Sequence, residues 1–396
     1  MKRVCMITFS HYPEDTRICR EAEALVKYFD TVDVICLKKS KEKATEIKNS
    51  VRIYRLATGK YRGSSNVMYL LRYFLFFFTA AIQLLVLHLK KPYQIIQIHT
   101  MPDFLVFAAL IPKLLGSKVV LDVHDLVPEL YQTKFGLDNS HWLIRFFTWV
   151  ERISIGFADR AIAVSRPHLN ALIKHGNPEE KFIIFLNLPD TKFTSYRNKV
   201  ILRDHEGFKI IYHGTVSRRY GLDLVIQALS GIKNKIEGME FHIIGQGEEL
   251  PQLSKLVNDL CMSECVTINE WLPPEKFVPI ILDSDVGIVP ILDDAFTKHA
   301  LPVKLLEYVA LGKPVICSRT EAIQAYFDDS MILYFTPSSI AEISENICLL
   351  YKNPDKREQL VRNADKFNLD YSWEQQKQEY VKMMDELINS NSKRKI

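Results

Sequence analysis

The stretch His299-Ala300-Leu301-Pro302-Val303-Lys304-Leu305-Leu306-Glu307-Tyr308-Val309-Ala310-Leu311-Gly312-Lys313-Pro314-Val315-Ile316 decides how the rest of the chain is read. It gives a loop closed by Pro302, one helix, a stop at Gly312 and a strand beginning near Pro314. Proline suits the first turn of a helix, and glycine suits the position just past its end. Leu305, Leu306, Val309 and Ala310 recur at helical spacing and mark a buried face. Lys304 falls in the first turn, where backbone N–H groups lack partners, so helix start and ammonium together favour an anion. Glu307, close behind, suits hydroxyls and not phosphate. A phosphate site with a hydroxyl-binding carboxylate beside it points to a nucleotide, ribose included. The same residues would also make an ordinary capped amphipathic helix.

Working outward, apolar runs of strand length alternate with longer helical patterns. The first half predicts strands at Val4–Phe9, Val32–Leu37, Ile95–Ile98, Val119–Asp122, Ala161–Val164 and Phe182–Phe185. Between them lie helices over Arg17–Phe29, Phe104–Leu115 and Trp142–Phe157. A polar stretch, Asp190–Glu206, follows Leu188-Pro189 and reads as a linker. Alternation restarts with Lys209–Tyr212, Glu240–Ile244, Val266–Ile268, Val286–Val289, Pro314–Cys317 and Ile332–Phe335. This βα order predicts an α/β fold of two doubly wound, Rossmann-like domains, over residues 1–189 and 207–370, with ligands bound outside the carboxyl ends of the strands in a cleft between them.

The chain has 396 residues, enough for a core in each domain, and its apolar and charged contents of 47% and 25% are those of a soluble globular protein. The net charge of +4 is unevenly shared. Residues 1–190 carry 26 Lys and Arg against 18 Asp and Glu, and the remainder 25 against 29. The basic first half favours an anionic partner there, a phospholipid surface or a phosphorylated substrate. Nucleic acid is not expected, since no dense basic helix or aromatic-basic interleaving occurs. Seven scattered cysteines fit a reduced cytoplasm, and Cys261 and Cys265, with no second pair, predict no metal site. The opening apolar run breaks at Ser10-His11-Tyr12-Pro13, too early for a signal peptide, and is taken as the first buried strand.

One segment departs from the alternation. Val67–Leu89 is apolar nearly throughout and holds Gln83; its uninterrupted part has Lys60, Arg62 and Arg72 before it and Lys90 and Lys91 after it. Its uninterrupted part falls short of the roughly 20 residues needed to span a bilayer. It is also too apolar for a routine surface helix. Bases and clustered aromatics suit a helix lying in the membrane interface, on a peripheral protein of the cytoplasmic membrane face. The competing expectation is a fully buried helix.

Further stretches place polar groups where this architecture binds ligands. After the first strand, Asp15 or Thr16 caps a helix that carries Arg17 and Arg20 on one face. The strand Val119–Asp122 runs into Val123-His124-Asp125, then Pro128-Glu129, and so gathers Asp122, His124, Asp125 and Glu129 at one end. The second half opens with Tyr212-His213-Gly214-Thr215-Val216-Ser217-Arg218-Arg219-Tyr220-Gly221, a strand–turn–helix that can cradle phosphate. Ile244-Gly245-Gln246-Gly247-Glu248 makes a second glycine turn beside it.

With these stretches in order, and Tyr371-Ser372-Trp373-Glu374 near the end, the chain resembles the family-four retaining glycosyltransferases of the GT-B fold over nearly its full length. The resemblance implies a nucleotide-sugar donor, UDP- or GDP-linked, bound mainly by the C-terminal domain, and an acceptor bound mainly by the N-terminal one. It implies a last helix, within 371–396, packing back on the N-terminal domain. Glu307 matches the glutamate that holds the donor's ribose, and His124 matches a histidine near the reacting sugar. The family's first glutamate, eight positions earlier, is His299 here, so Asp293 or Asp294 stands as the substitute sugar-holding group. The diphosphate turn also departs, with Thr215 after Gly214 and Tyr220 before Gly221, which leaves Arg219, assisted by Lys304, for the diphosphate. Gly214, Gly245, Leu301 and Pro302 complete the expected donor side, and Asp15, Arg17 and Arg20 the acceptor side.

The implied reaction is transfer with retention, free of metal and cofactor, since charge developing on the leaving diphosphate can be met by Arg219, Lys304 and the helix start. A basic N-terminal half and the Val67–Leu89 segment make a lipid-linked glycan intermediate, as in surface polysaccharide or glycoconjugate assembly, the expected acceptor. A nucleotide-sugar epimerase of the same fold and a non-catalytic partner subunit are the rivals.

Overall fold

The continuous apolar runs become interior strands of parallel sheets, where burial on both faces leaves no position for alternation. The computed structural model describes residues 2–59, 66–198 and 207–389. The chain divides into two units, Met1–Asn187 with Glu374–Ile396, and Leu188–Trp373.

Among the described residues the first unit holds β1 (Arg3–Thr8), β2 (Thr31–Leu37), β3 (Thr45–Lys48), β4 (Val51–Leu56), β5 (Ile95–His99), β6 (Lys118–Val123), β7 (Arg160–Ala163) and β8 (Phe182–Ile184). Their order is β3-β4-β2-β1-β5-β6-β7-β8, parallel except for the antiparallel β3–β4 pair. The β3–β4 pair is absent from the sequence expectation for a physical reason. At the sheet edge β3 is mostly exposed and reads Thr45-Glu46-Ile47-Lys48, and β4 alternates buried and open positions, so neither shows an apolar run. The helices are α1 (Thr16–Leu25), α2 (Asn66–Lys90), α3 (Leu110–Leu114), α4 (Val127–Phe135), α5 (Trp142–Phe157) and α6 (Arg166–Lys174). The single helix expected over Phe104–Leu115 is instead a 3-10 turn, Asp103–Ala109, followed by short α3. Pro112 has no N–H to donate to Ala108, which prevents a regular ladder there.

Helix α2 is neither fully buried nor free of the domain. Phe76, Ala80, Leu84 and Leu87 pack into the core. Val67, Leu71, Leu75, Phe78, Ile82, Val86 and Leu89 form an exposed stripe at helical spacing. By length and composition Val67–Lys90 could cross a membrane, contrary to the shorter span read from sequence, but one face is already committed to the sheet. Lys60 and Arg62 lie outside the described residues.

The second unit contains β9 (Phe208–His213), β10 (Met239–Ile244), β11 (Val266–Asn269), β12 (Val286–Val289), β13 (Val315–Ser318) and β14 (Leu333–Phe335), all parallel in the order β11-β10-β9-β12-β13-β14. Its helices are α7 (Thr191–Thr194), α8 (Leu222–Ile232), α9 (Leu250–Asp259), α10 (Pro274–Asp283), α11 (Val303–Ala310), α12 (Glu321–Gln324), α13 (Ile340–Lys352) and α14 (Pro354–Asp370). The expected linker is partly helical: Asp190 caps α7, a 3-10 turn covers Ser195–Asn198, and Arg197 pairs with Asp365 at 2.6 Å. Residues 199–206 of that stretch lie outside the described residues. The last helix, α15 (Trp373–Asn389), returns the chain to the first unit, where the Gln376 amide bonds both N and O of Leu186.

Each sheet reverses its winding once, at β1/β5 in the first unit and β9/β12 in the second. Such a switch point opens a crevice at the carboxyl ends of the strands, and the expected site residues gather at these two places.

Candidate functional site

In the second unit, β9 ends at His213 and turns through Gly214, whose φ of 117° suits only glycine. A Cβ on Gly245, after β10, would lie 1.8 Å from the Gly214 carbonyl oxygen, so the two turns touch through bare backbone. Above them starts α11. Its N-cap is Pro302, which offers no side-chain cap, leaving the N–H groups of the first turn uncovered by their own side chain. Leu301 and Pro302 are half-buried beside it.

Lys304 points inward from that first turn. Its Nζ donates to the Tyr212 hydroxyl at 2.8 Å and lies 4.2 and 4.0 Å from the ring centres of Tyr212 and Tyr220. Burial pulls its pKa down to about 7, against an opposing pull from the Glu307 charge. A buried ammonium in that state gains much from an incoming anion. Glu307, nearly one turn on, accepts from His213 Nε2 at 2.6 Å; His213 is stacked on Phe277 and bonded through Nδ1 to the Tyr308 hydroxyl at 3.0 Å. Arg219 sits on the 3-10 turn Arg218–Tyr220, half-buried, with its guanidinium 5.1 Å from the Phe296 ring centre. Tyr220, the neighbour of Arg219, therefore links that turn to Lys304.

Two expected donor-side residues are occupied differently. Asp294 Oδ1 accepts from the backbone N–H groups of Phe296 and Thr297, both at 2.8 Å, so that carboxylate oxygen holds the loop together. His299 is buried at the end of the 3-10 turn Thr297–His299, and Asp293 is exposed.

The first unit gathers a second cluster at β1, β5 and β6. Asp122 Oδ2 accepts from His124 Nε2 at 2.9 Å, His99 Nδ1 at 3.1 Å and Arg17 Nε at 3.0 Å, and its Oδ1 accepts from Arg17 Nη2 at 2.6 Å. Burial would raise the Asp122 pKa, but Arg17 and His124 hold it well below the carboxylate range. The charged Asp122 can only accept, so His124 Nε2 is the donor in that bond and the ring is held in one orientation. Glu21, 3.1 Å from Arg17, accepts from Gln97 at 2.6 Å, and Gln97 in turn accepts from Tyr380 of α15. A continuous polar chain thus runs from the closing helix to His124.

These contacts correct the expected role of Arg17. It is buried and clasped between Asp122 and Glu21, where it neutralises the Asp122 charge and does not meet solvent, while burial and Asp122 push the Glu21 pKa well up. Arg20 bonds the Asn187 side chain. Asp15 caps α1 through Ile18 N at 3.5 Å and lines a cavity of about 490 Å³ together with His124, Asp125, Ser10, Arg72 and Tyr73. Glu129 leaves the cluster to bond His175 at 3.0 Å, which also contacts Glu151. Burial alone would lower the His175 pKa, but those two carboxylates raise it to about 10. His99, Asp122 and His124 are spaced closely enough to hold a metal ion. The Arg17 guanidinium already neutralises Asp122, so a cation entering there would meet a full positive charge.

Residues 196–367 match the family described as glycosyl transferases group 1, and residues 15–187 match the glycosyl transferase 4-like domain. The chain belongs to the group 1 glycosyltransferases. It is 26% identical over 192 residues to the amylovoran biosynthesis glycosyltransferase AmsK of Erwinia amylovora, covering 48% of this chain and 46% of that protein. It is 28% identical over 229 residues to the chitobiosyldiphosphodolichol beta-mannosyltransferase of Debaryomyces hansenii, covering 52% and 48%. The chain thus matches about half the length of these curated relatives. The Anabaena Alr3699/HepE structure in complex with UDP superposes with a TM-score of 0.70 at 14% identity, over 98% of this chain and 100% of that one. The fold is GT-B.

Within this family frame, the sequence expectation brought Lys304, Glu307, Gly214, Gly245 and Arg219 to one end of one sheet, and Asp15 and His124 to one end of the other. Sequence reasoning missed the partners that set their chemistry. His213 and Tyr308 hold Glu307, Tyr212 and Tyr220 enclose Lys304, and His99 and Glu21 complete the Asp122 cluster. The available signal was position alone, since His99 and His213 each end a strand at the carboxyl edge.

Proposed function

We propose that this chain transfers a sugar, with retention, from a UDP- or GDP-linked donor held by the second unit to a lipid-linked glycan acceptor held by the first. The observation that carries the reading is Lys304 and Glu307 at the start of α11, beside the bare backbone of Gly214 and Gly245. An ammonium there stabilises charge developing on the leaving diphosphate as the sugar–oxygen bond breaks, and Arg219 with the uncapped helix start adds to it. Glu307 accepts from the ribose hydroxyls, where its present partner His213 supplies the orientation. His124, oriented by its bond to Asp122, positions a hydroxyl of the acceptor or donor sugar. No step in this scheme calls for a metal or cofactor.

Support for the acceptor class comes from the exposed apolar stripe of α2, the basic first half of the chain, and Trp142 and Trp149 standing exposed on α5. The relatives named for amylovoran biosynthesis and for a chitobiosyldiphosphodolichol substrate agree with it. In this reading the protein is peripheral on the cytoplasmic membrane face.

The test is a thermal-shift screen with UDP, GDP, ADP and CMP, followed by a transfer assay with the matching nucleotide sugars. One of the nucleotides should raise the melting temperature by mass action. Nucleotide release should then require vesicles carrying a polyprenyl-diphosphate glycan. Release with an altered free sugar and no acceptor would instead indicate an epimerase, and no response to any nucleotide would refute the enzyme reading.

A further inference from the structure

The cavity of about 490 Å³ in the first unit joins two kinds of residue that no part of the proposed chemistry yet connects. From the strand ends come Asp15, Ser10 and His124, and from the start of α2 come Arg72 and Tyr73. The carboxylate and imidazole suit hydroxyl groups. Arg72 does not. It is the one permanent cation among the described residues lining the cavity.

Arg72 is held in place and yet unspent. Its Nη1 donates to the Thr58 carbonyl at 2.6 Å, which fixes the guanidinium against the loop after β4. Among the described residues no carboxylate lies within ion-pair distance of it. A planar fork anchored through one N–H, on a residue that lines the cavity, has further N–H groups suited to the bidentate geometry of phosphate oxygens. Beside it, Tyr73 packs edge-on against Phe9 with ring centres 4.7 Å apart. The volume lies in the usual range for small-ligand sites, enough for a phosphorylated sugar. Position adds a further constraint. Leu71 and Leu75, flanking Arg72 on the helix surface, belong to the exposed apolar stripe.

We infer that Arg72 is the binding residue for a phosphate of the acceptor, seated in the same cavity whose other side presents His124 and Asp15 to the acceptor's sugar. A polyprenyl chain leaving that phosphate would run beside the exposed stripe of α2. The inference rests on the acceptor reading of the first unit, and it adds the class of group recognised, a phosphoester or diphosphate, and the residue that selects it.

The test uses the full chain and its Arg72→Gln and Arg72→Lys variants. Phosphatidylcholine vesicles carry either polyprenyl diphosphate or phosphatidylglycerol at matched charge, so that charge alone is controlled. The wild type should bind the polyprenyl-diphosphate vesicles roughly ten- to a hundredfold more tightly, as expected for one charge-assisted contact. Arg72→Gln should abolish that preference while leaving nucleotide binding intact, and Arg72→Lys should recover part of it. A full preference in Arg72→Gln overturns the assignment. Separately, inorganic pyrophosphate should slow backbone hydrogen exchange over residues 8–10 and 69–73 of the wild type, and not of Arg72→Gln. Protection confined to the second unit also overturns the assignment. Pyrophosphate protection in a wild type that binds both vesicle types equally would support the subsite with a soluble phosphorylated acceptor and would refute the lipid-linked reading alone.

Discussion

Replacing Lys304 by methionine should stabilise the fold while removing donor binding, and the size of the gain follows from the site. Burial moves the lysine from 10.5 to about 7. At about 1.4 kcal/mol per unit, that shift withholds roughly 4 kcal/mol of stability at pH 7. Methionine fills a similar volume without the charge, but it forfeits the bond to the Tyr212 hydroxyl and the contacts over two tyrosine rings. Those are worth about 2 kcal/mol together, which leaves a net gain of about 2 kcal/mol. The pH dependence carries the diagnosis. Between about pH 7 and 10.5 the unfolded chain holds this proton and the native chain does not, so wild-type stability rises with pH. The methionine variant lacks that contribution, so its advantage should shrink, vanish near about pH 9 and reverse by about 1 kcal/mol at pH 10. Urea denaturation of both proteins at pH 7 and pH 10 measures the difference, and shared titrations cancel. A variant no more stable at pH 7, or a gap that does not narrow, would refute the view that Lys304 is a strained, buried ammonium. The same reasoning makes wild-type nucleotide binding take up a proton near pH 7 to 8, because the diphosphate restores the charged form. Calorimetry in buffers of different ionisation enthalpy detects that uptake, and Lys304→Met should lack both the uptake and most of the affinity.

Two further substitutions probe the two sheet ends separately. Arg17→Met leaves the Asp122 charge buried without its guanidinium, and should cost about 3–5 kcal/mol in denaturant melts. A loss under 1 kcal/mol would mean that the clasp contributes little. Gly245→Ala puts a methyl 1.8 Å from the Gly214 carbonyl and must displace the turn under the donor. It should lower stability by about 1–3 kcal/mol and weaken nucleotide binding more than tenfold, measured by calorimetry; unchanged affinity would remove the Gly214–Gly245 contact from the donor site.

Much of the fold was legible because parallel sheets buried on both faces write themselves as continuous apolar runs. The strands at Val4, Val32, Ile95, Val119, Phe208 and Val286 are of this kind, with ends moved by a residue or two. The edge pair β3–β4 was not legible, since an edge strand such as Thr45–Lys48 needs no apolar run to pair. Helix α2 was half legible. Composition marked it as unusual, but only packing separates the buried Phe76, Ala80 and Leu84 from the exposed Leu71, Phe78 and Ile82.

The sequence by itself determined the βα alternation, the loop–helix–strand of His299–Ile316, and the placement of Lys304, Glu307, Gly214 and His124 near strand ends. These follow from local rules of period, capping and turn chemistry, which act over a few residues. Tertiary structure decided what each group is free to do. Arg17 became a clasp on Asp122, 105 positions away. Lys304 became a buried ammonium between Tyr212 and Tyr220, and Arg72 was brought into one cavity with His124. The reason is that charge and hydrogen-bond strength depend on burial and on partners distant in sequence, and only folding brings those partners together.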